Sequence, residues 1–397
     1  MQNTISKMLV AFLFSIIIVT FLSCNSQEED SDIIEIDITD GDRNEKEFKL
    51  SEIVDDVEYI KLETRNDCFI SNGRFDISEN FLLISNRYHP SQVMLFKRDG
   101  RLHTLIGEQG KGPSEYITTH PQAKIAPNEE WVIVHDSDAK KLLQYSKDGT
   151  FLRSYVYSQT ADNRLSDFKI NSDQQIVLIF YRPMEAVEQY PILRILDENL
   201  TLVEESFHIS KQKSNGYDSA GKATLLIEND ELFLREGFYD TLFQKKENQF
   251  VPKYHFNYTD NSPTSYFSPI SKKFDTFIWL SMIGKYFMCQ TVLYIDDGTI
   301  STYFCNRETG EIVRPSNDNT LNDIDGFGEV WISPDEPKGF VIKALDVINL
   351  KEKLGEGDYL TELIFPEKQK QLIQLIEESS IDDNAIVRVF HLKEYNQ

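Results

Sequence analysis

The chain has 397 residues, in which 41 Lys and Arg stand against 65 Asp and Glu, for a formal charge of −24. A surface this anionic repels phosphate backbones and anionic headgroups, because affinity for both comes largely from cations that neutralise charge, so nucleic acid is excluded as a partner. Four cysteines without a C-x-x-C pair indicate neither a disulfide framework nor a zinc site.

In chain order, the first feature is a single cation, Lys7, followed by the uncharged run Met8–Leu22. That run is too short for a hydrocarbon core, which takes about 20 helical residues, and it reads as a signal peptide. It stops at "FLSC", which resembles the lipobox of bacterial lipoproteins and implies lipidation of Cys24; Phe21 and Leu22 replace the usual Leu and small residue. An ordinary signal peptide with a chance cysteine is the alternative. The following "NSQEEDSD" resembles the export tag of lipoproteins displayed at the surface of Bacteroides-type bacteria. On composition alone it is a polar tether that cannot bury enough surface to fold. The expected organisation is a leader over residues 1–23, a lipidated N-terminus and acidic tether over 24–50, and one domain over 51–397.

Self-similarity governs the rest. "MLFKRDGRLHTLI" is an apolar strand, a turn at Asp99-Gly100 and a second strand, and "LLQYSKDGTFLRSYV" repeats it at Asp148-Gly149. Asp-Gly supplies the positive φ angles of primed hairpin turns. Weaker copies turn at Glu198-Asn199, Glu247-Asn248 and Thr309-Gly310, spaced 49, 50, 49 and 62 residues apart from the first onward. Two more strands precede each hairpin: "GRFDIS" and "NFLLISN", "AKIAP" and "EWVIVHD", "SDFKIN" and "QQIVLIFY", "ATLLIE" and "DELFLRE", "FIWLSMI" and "KYFMCQTVLYI". Four strands per unit of about 50 residues is the anatomy of a propeller blade. The sixth unit begins with "EVWISP" and "GFVIKAL", diverts through the helical pattern "PEKQKQLIQLIEES" with Pro366 at its first position, and resumes at "AIVRVFHLK". Its outermost strand is available at the other end of the chain, in "VEYIKLET", Val57 to Thr64. The expected fold is therefore an all-β, six-bladed β-propeller whose last blade is closed by strands from both termini, with a short helical insertion near the C-terminus.

"LSEIVDDVEYIKLET", "LFKRDGRLHTLIGEQGKGPSEY", "NDIDGFGEVW" and "DDNAIVRVFHLK" together resemble the six-bladed propeller lipoproteins of Bacteroides-type bacteria, relatives in shape of NHL-repeat propellers. The resemblance runs from about Ser51 to the end, with Ser114 where a glycine is usual. It implies architecture and address, an outer-membrane lipoprotein exposed at the cell surface or on the periplasmic face, and little about chemistry.

"GEQGKGPSEY" approaches the phosphate-loop pattern, but Pro113 stands where the lysine belongs and no helix follows, so a structural turn between blades is expected. Propellers bind on the face that carries the loops between second and third strands. Three of those loops pair arginine with aromatics: Arg87 with Tyr88 and His89, Tyr181 with Arg182, and Arg235 with Phe238 and Tyr239. Arginine forks grip carboxylates and aromatic faces stack on sugar rings, whereas the plainer reading pairs these arginines with local acids such as Glu236 and Asp240. No G-x-S-x-G elbow, H-E-x-x-H pair or complete calcium loop occurs; "DIDGFGE" is the nearest to the last. No metal or cofactor is expected. Cys289 and Cys305 flank a hairpin, which leaves a bridge between them open. The function expected is a binding or assembly module for a glycan, peptide or partner protein, tied to the membrane through its N-terminal lipid. The alternative is a carbohydrate-active hydrolase or lyase with its site at the channel mouth.

Overall fold

A computed structural model of the chain describes residues 33–70, 73–87, 91–158, 164–181, 191–207, 223–235, 241–247, 249–257, 275–293, 299–316, 320–333 and 336–394. Six sheets stand in a ring. Blade 1 comprises Gly73–Ile77, Phe81–Asn86, Val93–Lys97 and Leu102–Leu105, and blade 2 comprises Gln122–Ile125, Trp131–Asp136, Lys141–Ser146 and Phe151–Val156. Blade 3 follows with Arg164–Ile170, Ile176–Tyr181, Leu193–Leu196 and Leu202–Ser206, and blade 4 with Thr224–Glu228, Glu231–Arg235, Thr241–Lys246 and Gln249–Asn257. Blade 5 contains Asp275–Ile283, Tyr286–Leu293, Thr299–Asn306 and Ile312–Pro315, all as the repeat predicts.

Strand alternation puts apolar side chains on both faces of each sheet, so every pair of adjacent blades shares a core. Leu83 and Leu95 of blade 1 meet Val132 and Val134 of blade 2, for example, and Ile179 and Leu193 of blade 3 meet Leu225 and Leu234 of blade 4. Each such side chain, fully buried, contributes on the order of 1.5–3 kcal/mol. The Asp-Gly hairpins differ from expectation in type. Gly100 has φ 86° and donates its N–H to the Lys97 carbonyl at 2.9 Å, while Asp99 stays at negative φ. This is a three-residue loop, a type I turn closed by a left-handed residue, and it recurs at Gly149. A Cβ on Gly100 would lie 2.0 Å from the Lys61 carbonyl oxygen, so the outer strand of blade 6 leaves room for glycine alone.

Blade 6 closes the ring with both ends of the chain. Val54–Lys61 pairs antiparallel with Ile386–Leu392, which pairs with Phe340–Leu345. Val57, Val341 and Phe390 then pack on Tyr286, Met288 and Phe304 of blade 5, while Ile60, Ile342 and Val387 pack on Ile84 and Met94 of blade 1. Buried Asn384 ties the seam, accepting from the Ile70 N–H at 3.0 Å and donating to the Cys68 carbonyl at 2.7 Å. "EVWISP", however, is not a strand: among the described residues the blade has three, and Val330 makes only an isolated bridge to Thr320. Pro334 and Pro337 fall at and just after the end of this stretch and have no N–H to give to a ladder.

Two helices, not one, fill the connection between Phe340–Leu345 and Ile386–Leu392. The helix Pro366–Glu377 begins at proline as expected and buries Leu372 and Ile376. Before it runs Val347–Glu356, capped by the Asp346 carboxylate on the Ile348 N–H and stopped by Gly357 at φ 69°. Residues 33–50 also depart from a tether. Ile34–Asp37 adds a parallel fifth strand outside blade 4, and Glu45–Lys46 does the same for blade 5. Phe48 then stacks on Phe304 with centroids 4.1 Å apart before the chain enters blade 6. The N-terminal segment is thus a strap across three consecutive blades, and its strands cover two edges that would otherwise be bare.

Candidate functional site

Inner strands carry the site. Aligned on their last isoleucine, Ile77, Ile125 and Ile170, the first strands of blades 1 to 3 read RFDI, QAKI and DFKI. Phe75, Ala123 and Phe168 turn into the interblade cores. The residues on either side therefore form two polar tiers around the ring: Arg74, Gln122 and Asp167, then Asp76, Lys124 and Lys169. Asp76 bridges two blades, accepting from Lys124 Nζ at 3.2 Å and from the Ile125 N–H at 2.8 Å.

Where the described residues of blade 6 supply no inner strand, a cavity of about 430 Å³ opens against these tiers. Glu336 stands in for the missing strand: its carboxylate accepts from the Ile342 N–H at 2.9 Å and the Ser333 N–H at 3.2 Å, and contacts Lys343 Nζ at 2.5 Å. These are N–H groups that would otherwise be orphaned at a buried edge. Lys343 in turn lies 5.9 Å from the centre of the Trp331 ring, at the cavity wall. Trp331 and Phe69, on opposite sides of the seam in sequence, both line the cavity and remain about half exposed, at 51% and 50%. Five cationic side chains line it, Arg74, Arg87, Lys124, Lys169 and Lys343, against four carboxylates. Chain-wide the ratio is 41 to 65, so the cavity lining is richer in cations than the chain as a whole.

Behind the wall lies His135, which exchanges a hydrogen bond with the Tyr157 hydroxyl at 2.9 Å. Burial pushes its imidazole down to about 4, and Arg74 pushes the same way. Asp383, at the rim, is held below the usual carboxylate range by the Ser380 N–H and the Lys61 ammonium.

Of the residues singled out from the loops, Arg87 lines this cavity. Arg235 does not: it is fully buried, with Nη2 3.3 Å from the Thr224 hydroxyl. Tyr88, His89, Arg182, Phe238, Tyr239 and the lipidation candidate Cys24 lie outside the described residues, as does the side chain of Tyr181. The loop pattern does not reach the tier residues or Trp331; the tiers carry a polar or charged residue on each side of an apolar one in the first strands of blades 1 to 3, and Trp331 carries no such signal. In "GEQGKGPSEY" the Gly112 N–H is taken by the Glu115 carboxylate at 2.7 Å and the Gly110 N–H by the Tyr116 carbonyl at 2.9 Å. That stretch is a closed turn with its own carboxylate where a phosphate would sit. "DIDGFGE" is likewise structural, since Asp325 binds Arg388, Asn322 and Tyr59. Cys289 and Cys305 are free thiols whose sulfurs touch at 4.0 Å within the blade 4–5 core.

The fold and cavity define a six-bladed propeller with a pocket at one gap in its inner ring. More particularly, the chain belongs to the family described as Domain of unknown function (DUF4934), whose model matches residues 33–391. Among solved structures it is similar to a Bacteroides fragilis protein described as exported, with TM-score 0.63, 18% identity, and 91% of this chain covering 100% of that one. It is also similar to a member of the duf4221 family from Bacteroides vulgatus, with TM-score 0.49, 10% identity, and coverage of 86% and 98%. At such identities the likeness is one of fold. No curated protein matches the chain.

Proposed function

We propose that this protein is a ligand-binding module of the bacterial cell envelope, exported and held at the outer membrane by a lipid on Cys24. The observation that carries the binding reading is the cavity at the gap in blade 6, where half-exposed aromatic faces and clustered cations meet inside a rigid ring. The export reading is supported by the apolar run Met8–Leu22 before Cys24 and by similarity to a protein described as exported. No helix among the described residues is long and apolar enough to cross a membrane.

A glycoside hydrolase of the two-carboxyl type would need a carboxyl group kept protonated for general acid work. Three of the four cavity carboxylates are otherwise engaged: Glu336 serves backbone N–H groups, Asp346 caps a helix, and Asp383 is pushed in the opposite direction, while Asp167 accepts from the Phe168 N–H at 2.8 Å. The test is to present residues 25–397 to glycan and peptide arrays, with product analysis by mass spectrometry in the same wells. Intact ligand that is retained by the native protein and lost on Trp331→Ala supports the module; cleaved ligand overturns it. For the anchor, Cys24→Ala is expected to abolish acyl labelling and release the protein from membrane pellets, and persistent labelling refutes the assignment.

A further inference from the structure

We infer that the cavity takes a carboxylated pyranose, a uronate sugar, with its ring against Trp331 and Phe69 and its carboxylate against the cations of the inner tiers. This rests on the binding-module reading and names its ligand.

Three features converge on that class. Flat, half-exposed indole and phenyl faces at a concave site suit the C–H faces of a sugar ring, which presents apolar patches between hydroxyls. The walls behind them are polar, with Gln122 and Asp167 at one level, and match hydroxyl groups where an aliphatic side chain would find no partner. The cations distinguish an acidic sugar from a neutral one. Arg74, Lys124 and Lys169 come from three separate blades, and Arg87 and Lys343 from a loop and from blade 6, so five strands or loops bring a cation to one cavity, where Lys124 also meets Asp76 and Lys343 also meets Glu336. A carboxylate held by such groups makes charge-assisted hydrogen bonds, roughly twice as strong as neutral ones. Because the tiers belong to the rigid ring, the charges are positioned before the ligand arrives.

The probe pair is digalacturonic acid and its dimethyl ester, which keeps the rings and hydroxyls but removes the charge. Binding to residues 25–397 is read from tryptophan emission, with Trp331→Phe identifying the reporting ring, and from calorimetry. The acid is expected to bind about tenfold or more tightly than the ester, in line with the greater strength of charge-assisted bonds, and the difference is expected to collapse in Lys169→Gln and in Arg74→Gln. Equal affinity for acid and ester overturns the carboxylate assignment while leaving the binding module intact. Failure of both probes overturns the sugar assignment, and array capture lost on Trp331→Ala then still stands or falls by itself as the test of the module. Calorimetric melting of each variant separates lost contacts from lost folding.

Discussion

Asp325 Oδ1 lies 2.9 Å from Arg388 Nη1, and neither side chain reaches solvent. The pair joins a loop that follows blade 5 to the C-terminal strand of blade 6, and Tyr59 of the N-terminal strand completes it by donating its hydroxyl to Asp325 Oδ2 at 2.8 Å. Asn322 and the Phe327 carbonyl satisfy further valences, and the Arg388 guanidinium lies 4.8 Å from the centre of the Phe390 ring. Three stretches distant in sequence thus converge on one buried carboxylate at the seam of the ring.

Removing that carboxylate leaves an uncompensated guanidinium in the interior. Asp325→Ala is expected to cost about 3–5 kcal/mol, and Tyr59→Phe only about 1 kcal/mol, because the latter removes one hydrogen bond and strands no charge. Urea unfolding of both variants beside the native chain checks the order, and an Asp325→Ala midpoint close to native would refute it.

A second expectation concerns acid. His135 is neutral in the folded protein, with its value pushed down to about 4 by burial, whereas the unfolded value is near 6.5. The unfolded state therefore binds a proton first. Its contribution is complete above about pH 6.5, declines as pH falls, and is lost at about pH 4, a swing on the order of 3 kcal/mol. Urea midpoints across that window should fall less steeply for His135→Gln than for the native chain. Parallel profiles would show that other groups carry the acid sensitivity.

The two described arginines of the loop set should behave oppositely. Arg235→Ala empties a fully buried site and is expected to lower stability by about 3 kcal/mol or more. Arg87→Ala, at the cavity, should leave melting within about 0.5 kcal/mol of native while weakening ligand capture. Differential scanning calorimetry with array binding distinguishes them; equal melting shifts would place both in the framework.

Deleting residues 33–46 is expected to uncover Gln249–Asn257 and Ile312–Pro315, the outer strands that the strap pairs with. Bare edges invite pairing with other chains. Light scattering after size exclusion should show higher-order species at micromolar concentration, and a monodisperse monomer with native melting would contradict the protective role.

Much of this architecture was legible. The Asp-Gly turns recur because a left-handed residue is required at one place in each hairpin, and only a few residue types accept it. Val57–Thr64 could be placed in blade 6 because it had no partner of its own. Other features obeyed weaker rules. "IEID" alternates like a strand, yet its acids and its closeness to "EEDSD" read as tether, and only the exposed edge of blade 4 gives it a partner. The helix Val347–Glu356 carries both its signals, Asp346 before it and Gly357 after it, but it is shorter than the helical pattern that follows. The cavity opens where the described residues of blade 6 supply no inner strand, and such a gap shows only once the other inner strands are in place. Arg235 illustrates the converse, since loop-end arginine in an acidic chain reads as exposed until the blade packs around it.

The seam has a consequence for how the protein comes into being. Asn384 and Thr64, bonded at 2.8 Å, are 320 residues apart, so the strand synthesised near the beginning waits for the one made at the end. Until then the sixth blade cannot exist, and the blades flanking it lack one neighbour each. Contacts so remote in sequence slow folding. The closure of the ring is therefore the last step of folding, whatever the first five blades have done before it.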